Sequence, residues 1–174
     1  MQSKKVLLSK PPSNTIIRKA RKSDTDRIIE LLCQLGRPKP RNEQEKEHFA
    51  KLVQTYISEK KDKKKRNKKN KNKTMILIFV AEVDAKVVGM ISVVSLPRLN
   101  RITLEAWIPD FIVDQEYRNR GIGKELLENC IGIAKRKKCW RIRLETGLSR
   151  KCAQRFYKKM MQMEPFALAF MLPL

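Results

Sequence analysis

Two glycines stand one residue apart at Gly121 and Gly123, with cationic side chains on both sides of them. Arg118 and Arg120 come before the pair, and Lys124 follows it. The run before them is rich in β-branched and aromatic residues and predicts a strand, whereas the run after them has helical periodicity. A helix N-terminus has unpaired N–H groups and a partial positive charge, and glycine leaves that backbone accessible. The junction therefore predicts an anion site suited to phosphate, with a structural turn between solvated cations as the alternative.

The spacing excludes two common phosphate-binding loops. The Walker loop needs G-x-x-x-x-G-K-[ST], whereas only Ile122 separates the two glycines. The dinucleotide fingerprint G-x-G-x-x-G/A needs a third small residue, and Leu126 stands at that position. The phosphate prediction remains, but the ligand belongs to neither of those two classes.

The bulk composition indicates one basic domain. The chain has 174 residues and a formal net charge of +22, which favours anionic partners. Residues 1–13 are predicted as a basic N-terminal tail and residues 14–174 as the domain. The segment 60–73, KKDKKKRNKKNKNK, is predicted as a lysine-rich inserted loop. It is either a solvated surface or a weak electrostatic binding site for nucleic acid.

The cysteines and apolar segments exclude several classes of protein. No pair of the four cysteines has the C-x-x-C spacing and there is one histidine, so neither a metal site nor a disulfide framework is expected. No segment is typical of a signal peptide, and the apolar tail PFALAFMLPL is too short to span a bilayer. We expect a cytoplasmic protein with no membrane partner, either a monomer or a homodimer.

The hydrophobic periodicity predicts a mixed α/β domain with the order β-α-α-β-β-β-α-β-α-β. Proline at position 109 cannot donate to a strand ladder, so the strand over 102–113 should be broken or bulged there. The other predicted strands cover 15–19, the hairpin 75–96, 140–146 and 166–172, and the predicted helices follow Ser23, Asn42, Arg120 and Leu148.

The chain resembles the GNAT superfamily of N-acetyltransferases. The segment 118–123, RNRGIG, matches the family signature Q/R-x-x-G-x-G/A at the start of the helix after the fourth strand. Its surroundings also resemble the family, and the resemblance covers roughly residues 15–172. The similar segments are FIVDQEYRNRGIGKELLENCIGIAKRKKCWRIRLET, RKCAQRFYKKM, IFVAEVDAKVVGMISV and DTDRIIELLCQLG.

The resemblance implies that acetyl-CoA is the cofactor and that the fourth strand is bulged and splayed near Pro109. The pantetheine arm would pair with the backbone of three residues, and the pyrophosphate would lie on the next seven. Arg150 would contact the cofactor or an acidic substrate. The three residues are Phe111, Ile112 and Val113, and the seven are Arg118, Asn119, Arg120, Gly121, Ile122, Gly123 and Lys124.

The resemblance also implies direct acetyl transfer to an amine in one ternary complex. Tyr157 matches the family tyrosine that often acts as the general acid, since a phenol with an ordinary pKa of about 10 is protonated at neutral pH. Its alternative role is packing. The base is left open among Asp110, Glu105 and water. Met161-Gln162 replace the glycine and phenylalanine that often follow the tyrosine, so the acceptor pocket is expected to differ there.

The acceptor amine is not identified by any sequence feature. A polycationic acceptor would be repelled at long range by a chain of this charge, whereas an acidic protein or a small amine would not. The second hypothesis is a catalytically degenerate acetyltransferase fold that serves as a basic module for nucleic acid or the ribosome.

Overall fold

A computed structural model describes residues 10–58 and 74–172. The lysine-rich segment 60–73 and most of the predicted tail lie outside the described residues, so the predictions about them stay predictions. The strands are β1 Ile16–Lys19, β2 Met75–Val83, β3 Lys86–Leu96, β4 Glu105–Ile108, β5 Phe111–Val113 and β6 Arg141–Leu144. The helices are α1 Thr25–Gln34, α2 Glu43–Ser58, α3 Ile122–Arg136 and α4 Lys151–Arg155, and a π-helical turn, Phe156–Met160, continues α4.

One mixed sheet organises the fold, which confirms the predicted α/β class. The strand order is β1-β2-β3-β4-β6, and β5 pairs with β3 beyond the end of β4. All pairings are antiparallel except that of β4 with β6. The predicted hairpin forms from β2 and β3, joined at Asp84 and Ala85 with φ of 49° and 60°. Two successive positive φ values are typical of the type I′ turn, which matches the twist of the flanking strands.

Helices cover both faces of the sheet. On one face, Leu126, Leu127 and Cys130 of α3 are fully buried in one hydrophobic cluster with Ile91 of β3. On the other face, a second cluster joins residues of α1 and α2 to the sheet through Ile28, Leu31, Val53, Val80 and Met90. Since both faces are covered, β3 is buried along nearly its whole length.

The fourth strand is broken at Pro109, as predicted. Its first half, β4, pairs with β6 as far as Ile108 and Leu144. Its second half, β5, pairs only with β3 among the described strands. The sheet therefore parts between β5 and β6, and one edge of β5 has no strand beside it.

The predicted strand over residues 166–172 was wrong. This segment has no strand structure and no ladder partner, and its apolar side chains are largely exposed, with Phe170 at 92%. The α-helical part of the preceding helix ends at Arg155, and the chain leaves the π-helical turn through Gln162, with φ of 53°. The exposed end of the chain is therefore apolar in composition but lacks the pairing that a strand requires.

Candidate active site

A cavity of about 540 Å³ lies beside the unpaired edge of β5, between the N-terminus of α3 and α4. It includes most of the sequence-predicted cofactor residues. Those residues are Phe111, Ile112, Val113, Arg118, Asn119, Gly121, Gly123, Lys124 and Arg150, together with Tyr157. We call this space the donor cavity, after the cofactor that the sequence resemblance implies for its lining residues.

The glycine loop shapes one end of the donor cavity. Gly121 is the N-cap of α3 and has φ of 74°, a left-handed conformation that strains other residues. Its carbonyl accepts hydrogen bonds from the N–H groups of Lys124 and Glu125 at 2.9 and 3.2 Å. A Cβ on Gly123 would lie 3.5 Å from the ring of Phe111 and would narrow the space between α3 and β5. Both glycines therefore keep the first turn of α3 open towards the cavity.

The cations of the loop have different roles. Arg118 lines the cavity, and its Nε donates to the carbonyl oxygen of Val113 at 3.0 Å, which fixes the loop on β5. Lys124 also lines the cavity, and its Nζ lies 3.7 Å from Glu128. Arg120 and Ile122 do not line it. Arg120 stacks on the ring of Tyr117 and donates to a loop carbonyl.

Ile122 is fully buried in the hydrophobic core. Of the seven residues predicted at the pyrophosphate, Ile122 can therefore contribute only through its backbone groups, and the side chain of Arg120 is engaged with Tyr117 and a loop carbonyl.

The unpaired edge of β5 presents backbone groups to the donor cavity. The carbonyl of Asp110 accepts from Ser92 at 2.9 Å, and the N–H of Asp114 donates to Val88 at 2.8 Å, so both point towards β3. Backbone groups of successive residues alternate between the two edges of a strand. Those of Phe111 and Val113 therefore point away from β3, into the gap.

Tyr157 lies on the opposite wall, in the π-helical turn. Its ring packs against Phe111 and Phe156, with centroid separations of 6.4 and 5.4 Å. Burial raises the pKa of the phenol to about 12, and the nearby charge of Arg150 offsets only part of this effect. The phenol is therefore protonated throughout the neutral range. A π-helical turn changes the direction of side chains along a helix and is frequent at functional sites.

Arg150 connects the donor cavity to α1. It is the N-cap of α4, and its guanidinium donates to the carbonyl of Leu35 at the end of α1. That carbonyl belongs to a helix C-terminus, where a cation is favourable. Arg150 thus places a positive charge in the cavity wall while it fixes α4 against α1.

Asp110 lies at the strand break and lines a second cavity, of about 480 Å³, on the α1/α2 face of the sheet. Arg37 donates to its Oδ1 from Nη2 and Nε, at 2.7 and 3.0 Å. Ser92 Oγ donates to Oδ2 at 3.1 Å. We call this space the acceptor-side cavity, because Asp110 is one of the groups that the sequence analysis left open as the base for the acceptor amine. The two cavities flank the same stretch of chain, since Asp110 lines one and Phe111 the other.

Glu105, the other carboxylate considered as a base, lines neither of these two cavities. It is fully buried and ion-paired with Arg98, Arg141 and Arg143. Its carboxylate is committed to holding β4 against β6, which argues against a role in proton transfer.

The sequence pattern missed several residues of the site. Arg37 and Ser92 hold Asp110, but they are distant from it in sequence and belong to no local motif. Seven further residues line the donor cavity without having been predicted: Gln34, Tyr117, Ser149, Lys151, Cys152, Ala153 and Phe156.

The sheet parts beside a glycine-led helix, and cavities lie on both sides of the break. The model of the acetyltransferase (GNAT) family matches residues 41–161. The chain belongs to this family. None of the described helices is long and apolar enough to cross a membrane.

Solved structures of other acetyltransferases share the fold. An acetyltransferase from Trypanosoma brucei is 22% identical, with a TM-score of 0.69 over 92% of this chain and 99% of that one. Glucosamine-6-phosphate N-acetyltransferase from Arabidopsis thaliana is 20% identical, with a TM-score of 0.68 over 91% and 97%. An aminoglycoside acetyltransferase from an uncultured soil metagenomic sample, in complex with sisomicin, is 17% identical, with a TM-score of 0.68 over 92% and 97%.

Proposed function

We propose that this chain transfers the acetyl group of acetyl-CoA to the nitrogen of an amine by direct attack in a ternary complex. The observation that carries the proposal is the donor cavity, which joins the unpaired edge of β5 to the glycine-led N-terminus of α3. The β5 end of the cavity offers backbone N–H and carbonyl groups. The α3 end offers the N–H groups of a helix N-terminus together with cationic side chains. Coenzyme A needs both, since its pantetheine arm contains amides and its nucleotide carries phosphates.

The residues of the cavity fit such a donor. Its diphosphate would be held by the first-turn N–H groups of α3 and by Arg118 and Lys124. Its amides would pair with the backbone groups that Phe111 and Val113 direct into the gap, as an added strand does. The carbonyl of Val113 already accepts a hydrogen bond from Arg118. The main partners for the amides of the donor are therefore the N–H groups of Phe111 and Val113 and the carbonyl of Phe111.

Tyr157 is proposed as the general acid. A thioester supplies an activated acetyl group. The amine nitrogen forms a bond to its carbonyl carbon, the carbon–sulfur bond breaks, and the departing sulfur takes a proton. Since burial raises the pKa of Tyr157 to about 12, the phenol keeps its proton at neutral pH and can donate it.

Asp110 is proposed as the group that receives the proton of the amine, directly or through a water molecule. Its location at the strand break, in the lining of the acceptor-side cavity, supports this proposal. The hydrogen bonds from Arg37 and Ser92 fix its orientation. Oδ1 accepts two hydrogen bonds from Arg37, whereas Oδ2 accepts one from Ser92 and retains a lone pair for the incoming ammonium.

The test is the release of thiol from acetyl-CoA on addition of amines, with the N-acetyl product identified by mass spectrometry. Direct transfer predicts intersecting initial-velocity lines and no acetylated protein when the chain is incubated with acetyl-CoA but without an amine.

Cys152 lines the donor cavity and is the nucleophile that a two-step mechanism would use. An acetyl group on Cys152 that a later amine removes would contradict the ternary complex.

A further inference from the structure

The acceptor-side cavity has an almost entirely apolar wall. Apart from Arg37, Ser92 and Asp110, its lining residues are aliphatic, aromatic or proline. Leu52 and Tyr56 of α2 line it although they are 43% and 40% exposed, so the space opens towards solvent along that helix. Protein interiors leave few voids larger than a water molecule. An open apolar space of about 480 Å³ lies instead within the range of about 300–1,000 Å³ that is typical of small-ligand sites.

Three polar side chains of this cavity form one connected set at the strand break, and Tyr56 of α2 adds a phenol to the lining. Arg37 and Ser92 both donate to the carboxylate of Asp110, so the three side chains lie together. The indole N–H of Trp107 donates to Glu145 at 2.6 Å and is already satisfied. A ligand here would therefore find a carboxylate at one end and apolar side chains around the rest of its body.

We propose that the acceptor is a primary amine attached to a bulky apolar group, with the nitrogen at Asp110 and the apolar group in the acceptor-side cavity. The inference rests on the proposed function and names its substrate class. A second ammonium or a set of hydroxyl groups would find few hydrogen-bond partners against this wall, which is unfavourable. An apolar group would displace water from apolar surface, which is favourable. This preference differs from that of a relative that binds sisomicin, although the fold is shared.

The first experiment compares straight-chain alkylamines of increasing length with diamines of equal length and with glucosamine 6-phosphate, on the unmodified chain. For the alkylamines, kcat/KM should rise on the order of fourfold for each buried methylene until the cavity is filled. The diamines and the amino sugar should be at least about 100-fold poorer. An equal or higher kcat/KM for the diamines or the sugar would overturn the inference and leave the proposed function intact.

The second experiment changes the wall of the cavity. Leu52→Asp should lower kcat/KM for octylamine by at least about tenfold and reduce the preference over the diamine. Leu99→Asp makes the same change at a fully exposed position of the β3–β4 loop and should leave both values unchanged. Unchanged binding of acetyl-CoA shows that Leu52→Asp has folded. A folded variant with the original preference would overturn the inference.

Failure of turnover is distinguishable from failure of the inference. If no amine releases thiol, the proposed function fails. The preference for an apolar amine is then tested by its effect on the melting temperature of the CoA-loaded chain. Octylamine should raise that temperature more than the diamine of equal length; equal shifts would overturn the inference. Peptides that begin with leucine or glutamate identify the source of the amine. A leucine peptide that exceeds octylamine indicates a polypeptide N-terminus, and one that is slower indicates a small amine.

Discussion

Arg37 donates two hydrogen bonds to one carboxylate oxygen of Asp110, from Nη2 at 2.7 Å and from Nε at 3.0 Å. The same Nη2 also donates to the carbonyl of Pro109 at 3.1 Å. The pair joins the segment after α1 to the break between β4 and β5. The pair therefore fixes the carboxylate of Asp110 at the strand break, where Asp110 lines the acceptor-side cavity and the next residue, Phe111, lines the donor cavity.

Removing the charge of this carboxylate tests its proposed role. Asp110→Asn should lower kcat by about 100-fold or more, since general bases typically contribute 10²–10⁴. The dissociation constant of acetyl-CoA should stay unchanged, because Asp110 does not line the donor cavity. Steady-state kinetics and calorimetry measure the two quantities. A kcat equal to that of the unmodified chain would assign the proton to water instead.

Glu105→Gln is the control for that substitution. Glu105 is buried among three arginines, and removal of one partner from a buried ion pair costs about 3–5 kcal/mol. We therefore expect a lower free energy of unfolding but an unchanged kcat per folded molecule. A large loss of kcat without a loss of stability would instead favour Glu105 as the base.

Tyr157→Phe should slow transfer by about 100-fold with little effect on acetyl-CoA binding. The sign of the pH effect follows from the raised pKa. Since the phenol ionises only near pH 12, it is protonated across pH 6–10 and contributes no alkaline limb there. The rate profiles of the variant and the unmodified chain should therefore have the same shape. If an alkaline limb below pH 10 vanished in Tyr157→Phe, the raised pKa would be wrong.

Cysteine alkylation reports directly on the donor cavity. Cys152 is exposed and lines that cavity, whereas Cys130 is fully buried and burial raises its pKa to about 12. Iodoacetamide should modify Cys152 in the folded chain and Cys130 only after denaturation. Acetyl-CoA at about ten times its dissociation constant should slow modification of Cys152 roughly tenfold.

The half-buried Cys33 does not line the donor cavity and is the internal reference in the same peptide map. Its rate of modification should not change with acetyl-CoA. Equal protection of Cys33 and Cys152 would indicate general stabilisation, and no protection of Cys152 would place the donor elsewhere.

Gln162 is expected to be a site of backbone strain. It is exposed and has φ of 53°, a conformation that favours glycine. Gln162→Gly should therefore raise the free energy of unfolding by about 1 kcal/mol. Gln54→Gly, in the middle of α2, should lower it by about the same amount, because glycine disfavours helix. Urea titration of both variants measures the difference, and destabilisation by Gln162→Gly would refute the strain.

The features predicted from the sequence are those that local chemistry determines. Gly121 and Gly123 predict an accessible backbone at the start of α3 because they lack side chains, and Pro109 predicts the strand break because it cannot donate to a ladder. The pair of Arg37 and Asp110 depends instead on how α1 packs over the sheet, which no local pattern encodes. The segment 166–172 shows the converse, since apolar composition predicted a strand but the described sheet offers it no ladder.

Binding of acetyl-CoA, measured by calorimetry at low salt, tests the central claim most directly. The account predicts saturable 1:1 binding to the unmodified chain. It predicts that Gly121→Asp abolishes binding, because a side chain and a negative charge enter the left-handed N-cap of α3. Gly132→Asp, the same change farther along α3, should retain binding, and it controls for the altered net charge of a basic chain. The absence of saturable binding, or equal binding by both variants, would contradict the account.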